Sequence, residues 1–306
     1  MIAALAGGVG AARFLDGLVR VVEPRTVVAV VNTGDDAVLH GLHVSPDLDT
    51  VTYTLAGAVN RATGWGLAGE TWAVMGALDR YPSSLAWFNL GDRDLATHLY
   101  RTQRLREGAT LSEVTGEIAA AWDVAVRILP MTDDPVETRL MLDDGEVGFQ
   151  DYFVRLRHDV AVSAVRFAGM DSARPAPGVL EALAGAERVV ICPSNPVVSI
   201  GPVLAVPGVA DALAARRADV VAVSPIVAGA ALKGPADRLL RELGHHASVV
   251  GVARLYAAVA GTLVVDEADA ALAGAVEAEG MRCAVTRTVM HDPAEAASLA
   301  SAALAR

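Results

Sequence analysis

Two short acidic stretches hold the residues best suited to chemistry. NTGDD (Asn32–Asp36) and SPDLDT (Ser45–Thr50) place four carboxylates, Asp35, Asp36, Asp47 and Asp49, close together in the chain. Upstream of them, AGGVGAARF carries Gly7, Gly8 and Gly10 in a turn that can present backbone N–H groups to a phosphate at the start of the next helix. Carboxylates repel phosphate unless a divalent cation stands between them. Mg²⁺ binds through one or two carboxylates together with phosphate oxygens, which is what such acids beside such a turn would serve. A strand-like i, i+2 spacing would aim Asp47 and Asp49 at the same site. Against this, Asp47 follows Ser45-Pro46 and could cap a helix starting near Thr50. We read one of the two as a cap and the other, Asp49, as the working acid.

Other segments offer weaker chemistry. PSNP and SPIVAG supply Ser194, Asn195, Ser199 and Ser224, which suit either turn formation or phosphate and base contacts. FNLGDRDLATH brings Asn89, Asp92, Arg93, Asp94 and His98, where Asp94 can cap a helix beginning at Leu95 and His98 reads first as structural. TDDP (Thr132–Pro135) reads as a turn. Cys192 ends a strand-like run with no histidine near it in sequence, so it reads as a buried thiol and not a nucleophile. GGVG completes neither G-x-G-x-x-G nor a P-loop, which counts against a dinucleotide oxidoreductase.

These residues need a scaffold. Ile2–Ala6 is an apolar run ending in GGVG, a helical pattern follows, and Thr26–Val31 is a second β-branched run ending in NTGDD. The same order returns with Arg188–Cys192 ending in PSNP and Asp219–Val223 ending in SPIVAG. Ala247–Val252, Thr262–Val265 and Arg282–Val285 read as further strands, the last two separated by a helix over Asp269–Glu279. Thr50–Ala125 reads as largely helical, and Val136–Leu142 with Glu146–Phe149 as a hairpin turning at Asp143-Asp144-Gly145. The expected fold is α/β, a Rossmann-like, doubly wound, mostly parallel sheet with a largely helical insertion. Residues 1–49 and 180–306 would form the nucleotide-binding core. Residues 50–179 would form an inserted substrate-binding region with the hairpin. In such a sheet ligands bind beyond the carboxyl ends of the strands, so GGVG, NTGDD, PSNP and SPIVAG would meet on one edge.

The composition suits this reading. The 306 residues are 53% hydrophobic and 20% charged, with a net charge of −11, which disfavours nucleic acid and anionic membrane as partners. Two cysteines give no disulfide framework, and the opening MIAALAGG lacks the basic region of a signal peptide. No apolar run is long enough for a membrane span, so a cytoplasmic protein is expected.

Taken together, AGGVGAARF, NTGDDAVLHG, SPDLDTVTYTLAG, GWGLAGETW, LGDRDLATH, TDDP, CPSNPVVSIGPVLAVPG and SPIVAGAALKGPADRL closely resemble the 2-phospho-L-lactate transferase (CofD) family of deazaflavin coenzyme biosynthesis. The motifs occur in family order from Gly7 to about Leu239. The resemblance implies Mg²⁺-dependent transfer of a phosphoenolpyruvyl or 2-phospho-L-lactyl group from a guanosine diphosphate-linked donor to the ribityl hydroxyl of the deazaflavin Fo, releasing GMP. It implies an Fo site at Asp49 and Asn89, with Thr50, Arg93 and His98 beside them. It puts the nucleotide phosphates on Gly7, Gly8, Gly10, Ser194 and Asn195, and catalytic and metal duty on Asp36 and Asp49, with Asp35 and Asp47 as rivals for the metal. Arg13, Arg93 and Lys233 are basic residues that could assist. A homodimer is implied as well. The alternative is a non-catalytic nucleotide-sugar-binding regulator of a sister family, whose acidic motif typically continues into a Gly/Ser run where this chain has DDAVLHG.

Overall fold

The computed structural model describes residues 1–82 and 87–305. The strands begin with β1 (Ile2–Ala6), β2 (Val27–Val31), β3 (Ala37–Leu39), β4 (Leu42–Val44) and β5 (Arg127–Pro130). They continue with β6 (Glu137–Leu142), β7 (Gly145–Gly148), β8 (Ala164–Ala168), β9 (Arg188–Ile191) and β10 (Val220–Val223). The last are β11 (Ile226–Val227), β12 (Ala230–Ala231), β13 (Thr262–Val265) and β14 (Arg282–Val285). Seven of them make one sheet in the order β14-β13-β10-β9-β1-β2-β5, and every pairing in it is parallel.

Strands buried on both faces should be continuously apolar. β2, with the sequence VVAVV, is buried throughout. Its Val28 and Val30 enter one core and its Val27, Ala29 and Val31 the other. The helices start with α1 (Val9–Leu18), α2 (Pro46–Leu55), α3 (Ala73–Leu78), α4 (Asp94–Arg106) and α5 (Leu111–Ala121). They go on with α6 (Val179–Gly185), α7 (Gly201–Ala205), α8 (Val209–Ala214) and α9 (Ala236–Glu242), then α10 (Val249–Tyr256), α11 (Ala273–Ala278) and α12 (Pro293–Leu304). Phe14 of α1, Leu48 of α2, Leu111 of α5 and Leu299 of α12 fill the core on one face. Leu183 of α6, Val203 of α7, Leu213 of α8 and Val252 of α10 fill the other. The sheet is therefore doubly wound, as expected.

The order of strand addition reverses at β1: β2 and β5 lie on one side of it, β9 and β10 on the other. The crevice at such a reversal is where ligands enter open sheets. Three readings of the sequence change here. Ala247–Val252 is not a strand, because Ser248 caps a helix by accepting from Gly251 N and the buried Val249, Val252, Ala253 and Tyr256 follow helical spacing. The stretch 50–179 is not wholly outside the sheet, since β5 pairs with β2 and extends its edge. β8, unforeseen, pairs with β6 to make the three-stranded sheet β7-β6-β8. No helix among the described residues is long and apolar enough to cross a membrane.

Candidate active site

β1 runs straight into GGVG and then α1. Gly8 occupies the N-cap position without a side-chain cap, and the first turn of a helix leaves N–H groups with no intrahelical acceptor. Three loops close on this turn. A Cβ on Gly10 would lie 2.1 Å from the Pro193 carbonyl oxygen, and one on Gly8 would lie 2.7 Å from Asp47 Oδ1. The backbone contact with PSNP requires glycine at position 10, while at Gly8 the Asp47 carboxylate of SPDLDT lies close against the turn. Gly7 N donates to Ser194 Oγ at 3.4 Å. Asn195 Oδ1 accepts from Val197 N and Val198 N and so caps the next turn. Ser194 and Asn195 thus shape the glycine loop and its neighbour.

The acids divide unevenly. SPDLDT is helical from Pro46, since Ser45 and a proline at the first position form a strong start signal. On a helix, two residues apart means about 200° of rotation, so Asp47 and Asp49 point to opposite sides and not to the same one. Asp47 faces GGVG and NTGDD. Asn32 Nδ2 donates to Asp47 Oδ2 at 3.0 Å, while Asn32 Oδ1 accepts from Gly34 N at 2.8 Å. Asp36 Oδ2 receives the Ser45 hydroxyl at 2.6 Å and lies 3.0 Å from His43 Nε2. Gln150 Nε2 donates to the Asp35 carbonyl at 2.8 Å and ties the segment after β7 to this loop.

Burial, and then the nearby Asp47, push the Asp35 carboxyl well above the usual range. Burial also raises Asp36, and it raises Asp47 to about 7. Asp35 Oδ1 and Asp36 Oδ1 are buried and lack a hydrogen-bond partner among the described residues. Unpartnered carboxylate oxygens beside a second buried acid are what a bound divalent cation would satisfy.

Asp49 is different. Its carboxylate meets the guanidinium of Arg101, with Arg101 Nη1 donating to Oδ2 at 3.1 Å and Nη2 to Oδ1. Arg101 is 1% exposed. His98 places Nδ1 3.7 Å from Asp49 Oδ2 and Nε2 3.4 Å from Asp94 Oδ2. Tyr53 donates to Asp94 Oδ1 at 2.6 Å. Burial would raise Asp94, but its contacts with His98 and Tyr53 outweigh that and hold it below the usual range. Asp49, Asp94 and His98 could each offer a ligand atom within 4.8 Å of the others. Arg101 already fills that place with positive charge, so we read the cluster as a buried ion network joining α2 to α4. Asp94 is the first residue of α4, and its side chain joins this network without capping the helix.

GWGLAGETW and FNLGDRD form a reciprocal clasp. The Glu70 carboxylate accepts from Arg93 N and Asp94 N at the start of α4. The Asp92 carboxylate accepts from Thr71 Oγ1, Ala73 N and Val74 N at the start of α3. Arg93 Nη1 donates to the Ala68 carbonyl at 2.6 Å. Asn89 is exposed beside the clasp, while Thr50 and His98 are buried. Of the residues assigned to an acceptor, only Asn89 and Arg93 face outward. Arg13 donates to the Met290 carbonyl and Lys233 to the Thr63 carbonyl. Cys192 is fully buried and its thiol is pushed up by burial, as expected of a structural cysteine.

Asn32, His43, Ser45, Glu70, Arg101 and Gln150 were not singled out by the sequence reading. Arg101 had a readable signal, since Asp94, His98 and Arg101 recur at i, i+4, i+7 on one face of α4. The others are brought in by contacts that no local spacing announces.

The sequence family described as 2-phospho-L-lactate transferase CofD matches residues 2–304. A phosphoenolpyruvate transferase from Kitasatospora aureofaciens is 48% identical over 311 residues, covering 99% of this chain and 97% of that one. Proteins of the same name from Streptomyces griseus and Mycolicibacterium smegmatis are 46% and 40% identical, each covering 99% of this chain and 97% of their own length. Among solved structures, a UPF0052-family protein from Bacillus halodurans superposes with a TM-score of 0.63 at 16% identity, covering 99% of both chains. That likeness concerns the fold alone.

Proposed function

The chain belongs to the 2-phospho-L-lactate transferase CofD family, and from that premise we propose that it moves a phosphoenolpyruvyl or 2-phospho-L-lactyl group from a guanosine diphosphate-linked donor to the ribityl hydroxyl of the deazaflavin Fo, releasing GMP. The observation that carries the chemistry is the meeting of Gly8 with Asp47 beside Asp35 and Asp36. Phosphoryl-type transfer needs alignment and charge neutralisation more than a protein nucleophile. A metal-assisted site between the glycine turn, the buried Asp35 and Asp47, and the half-buried Asp36 supplies both.

Each residue then has a task. The first turn of α1 receives the diphosphate. Asp35 and Asp47 would hold Mg²⁺, which when bound withdraws charge from the phosphate. Asp36, braced by Ser45 and His43 through one oxygen, keeps its other oxygen to orient the acceptor hydroxyl and take its proton. Asp49 is assigned to holding α2 against α4 through Arg101, with acceptor contact falling to the outward-facing Asn89 and Arg93. Relatives named as phosphoenolpyruvate transferases favour the phosphoenolpyruvyl donor.

Incubating the enzyme with Fo, Mg²⁺ and each guanylylated donor, then weighing the product, tests this reading. The expected product is Fo bearing a phosphoenolpyruvyl or phospholactyl phosphodiester, with stoichiometric GMP. Fo that neither binds nor reacts under any of these conditions would refute it and favour a nucleotide-binding regulator.

A further inference from the structure

Of the 25 Lys and Arg residues in the chain, one is a lysine, Lys233. Every other basic position carries arginine, whose planar fork and weaker hydration differ from a compact ammonium. Lys233 follows β12, on the segment that leaves the carboxyl end of β10. Its Nζ donates to the Thr63 carbonyl at 3.0 Å. A Cβ on Gly64 would lie 2.7 Å from Val9 Cγ1 and 3.4 Å from Lys233 Nζ, so the ammonium and the first residue of α1 both border Gly64. Arg13 stands one turn further along α1, close enough to repel it. Among the described residues, Lys233 donates to the Thr63 backbone carbonyl and forms no ion pair with a carboxylate.

The glycine turn is therefore flanked by unlike groups. Asp47 touches it at Gly8, and Lys233 approaches it from the far side of Gly64, which packs on Val9. A diphosphate on this turn would meet the acid-held cation on one side and an ammonium on the other. We infer that Lys233 is the residue that binds the donor's diphosphate and neutralises the charge gained by the departing guanosine monophosphate. This rests on the transfer reading above. In that step a bond forms between the acceptor oxygen and the distal phosphorus, and the bond from that phosphorus to the bridging oxygen breaks. The electron pair stays on the bridging oxygen, now a terminal oxygen of GMP, and the hydroxyl proton passes to the accepting carboxylate. Lys233 forms no covalent bond. It exchanges one backbone carbonyl for a phosphate oxygen, a charge-assisted hydrogen bond that strengthens as that oxygen gains charge.

Because Lys233 is the only lysine, its ε-amine and the Met1 α-amine are the only aliphatic amines in the full chain. The Met1 amine pairs with Glu187 Oε1 at 2.9 Å, at the opposite end of β1, and serves as an internal control. Amine-selective acetylation followed by peptide mass analysis should show Lys233 protected by GDP with Mg²⁺ while Met1 reacts as before. Lys233→Met should weaken GDP binding by about tenfold or more and lower kcat, with Lys233→Arg recovering part of both and neither changing the melting temperature. Wild-type protein that binds GDP while Lys233 stays as reactive as Met1 would overturn the assignment, as would wild-type GDP affinity in Lys233→Met. Wild-type protein that binds no GDP would instead overturn the guanylylated-donor reading, and this inference with it.

Discussion

Asp47 and Asp49 are two residues apart, yet their side chains do unrelated work. Asp47 has an amide neighbour, a glycine and two more acids around it, whereas Asp49 is locked by a buried guanidinium. Replacing Asp47 by Asn should raise the Mg²⁺ concentration needed for transfer by about tenfold or more, read by metal titration at saturating substrate. An unchanged titration would move the metal elsewhere. Asp49→Ala should act on the fold first. It leaves Arg101 buried and uncompensated, which costs about 3–5 kcal/mol, measurable by chemical denaturation. The double change Asp49→Ala/Arg101→Met should cost clearly less than the two single changes added together. An Asp49→Ala variant with wild-type stability and no turnover would return Asp49 to direct catalysis.

Among the elements, α1 depends on close approach at its first turn. Gly10→Ala would drive a methyl group into the Pro193 carbonyl, forcing the helix and the PSNP loop apart. The expected cost is about 1–3 kcal/mol by thermal melting, together with loss of GDP affinity from the displaced turn. Wild-type affinity in that variant would show that the turn does not carry the nucleotide. The paired clasp between GETW and GDRD explains why those stretches are rich in Gly, Asp and Glu without being ligand contacts throughout. Each acid satisfies the open N–H groups at the start of the helix that the other stretch leads into.

Across the whole molecule, the concentration of buried acid ties stability to pH. Asp35, Asp36 and Asp47 all have raised pKa values in the folded chain. At these three carboxyls the folded state therefore binds more protons than the unfolded one between the ordinary carboxylate value of 3.8 and about 7, the value reached by Asp47. Stability should fall as pH rises through that interval, because the unfolded state binds fewer protons there. A bound divalent cation should flatten the slope by favouring the ionised acids. Melting temperatures in chelator and in Mg²⁺ across this interval check both statements, and a metal-independent slope would argue against the acid site as the cation's place.

How much could be read in advance follows from the range of the interactions involved. Apolar runs ending in turns marked most strands of the sheet, and the motif set marked the family, because both are local in the chain. The strand expected over Ala247–Val252 failed because a capped amphipathic helix can carry the same short apolar run. Asp47 and Asp49 were misdirected because i, i+2 points one way on a strand and opposite ways on a helix. By itself, then, the sequence determined the doubly wound scaffold, the glycine turn, the acids beside it and the lone lysine. Only the tertiary structure decided which acids share the site and which one is tied up. Arg101 reaches Asp49 across 52 residues of chain, and Lys233 reaches Thr63 across 170. Separations of that size are closed by packing against the sheet, which no local pattern encodes.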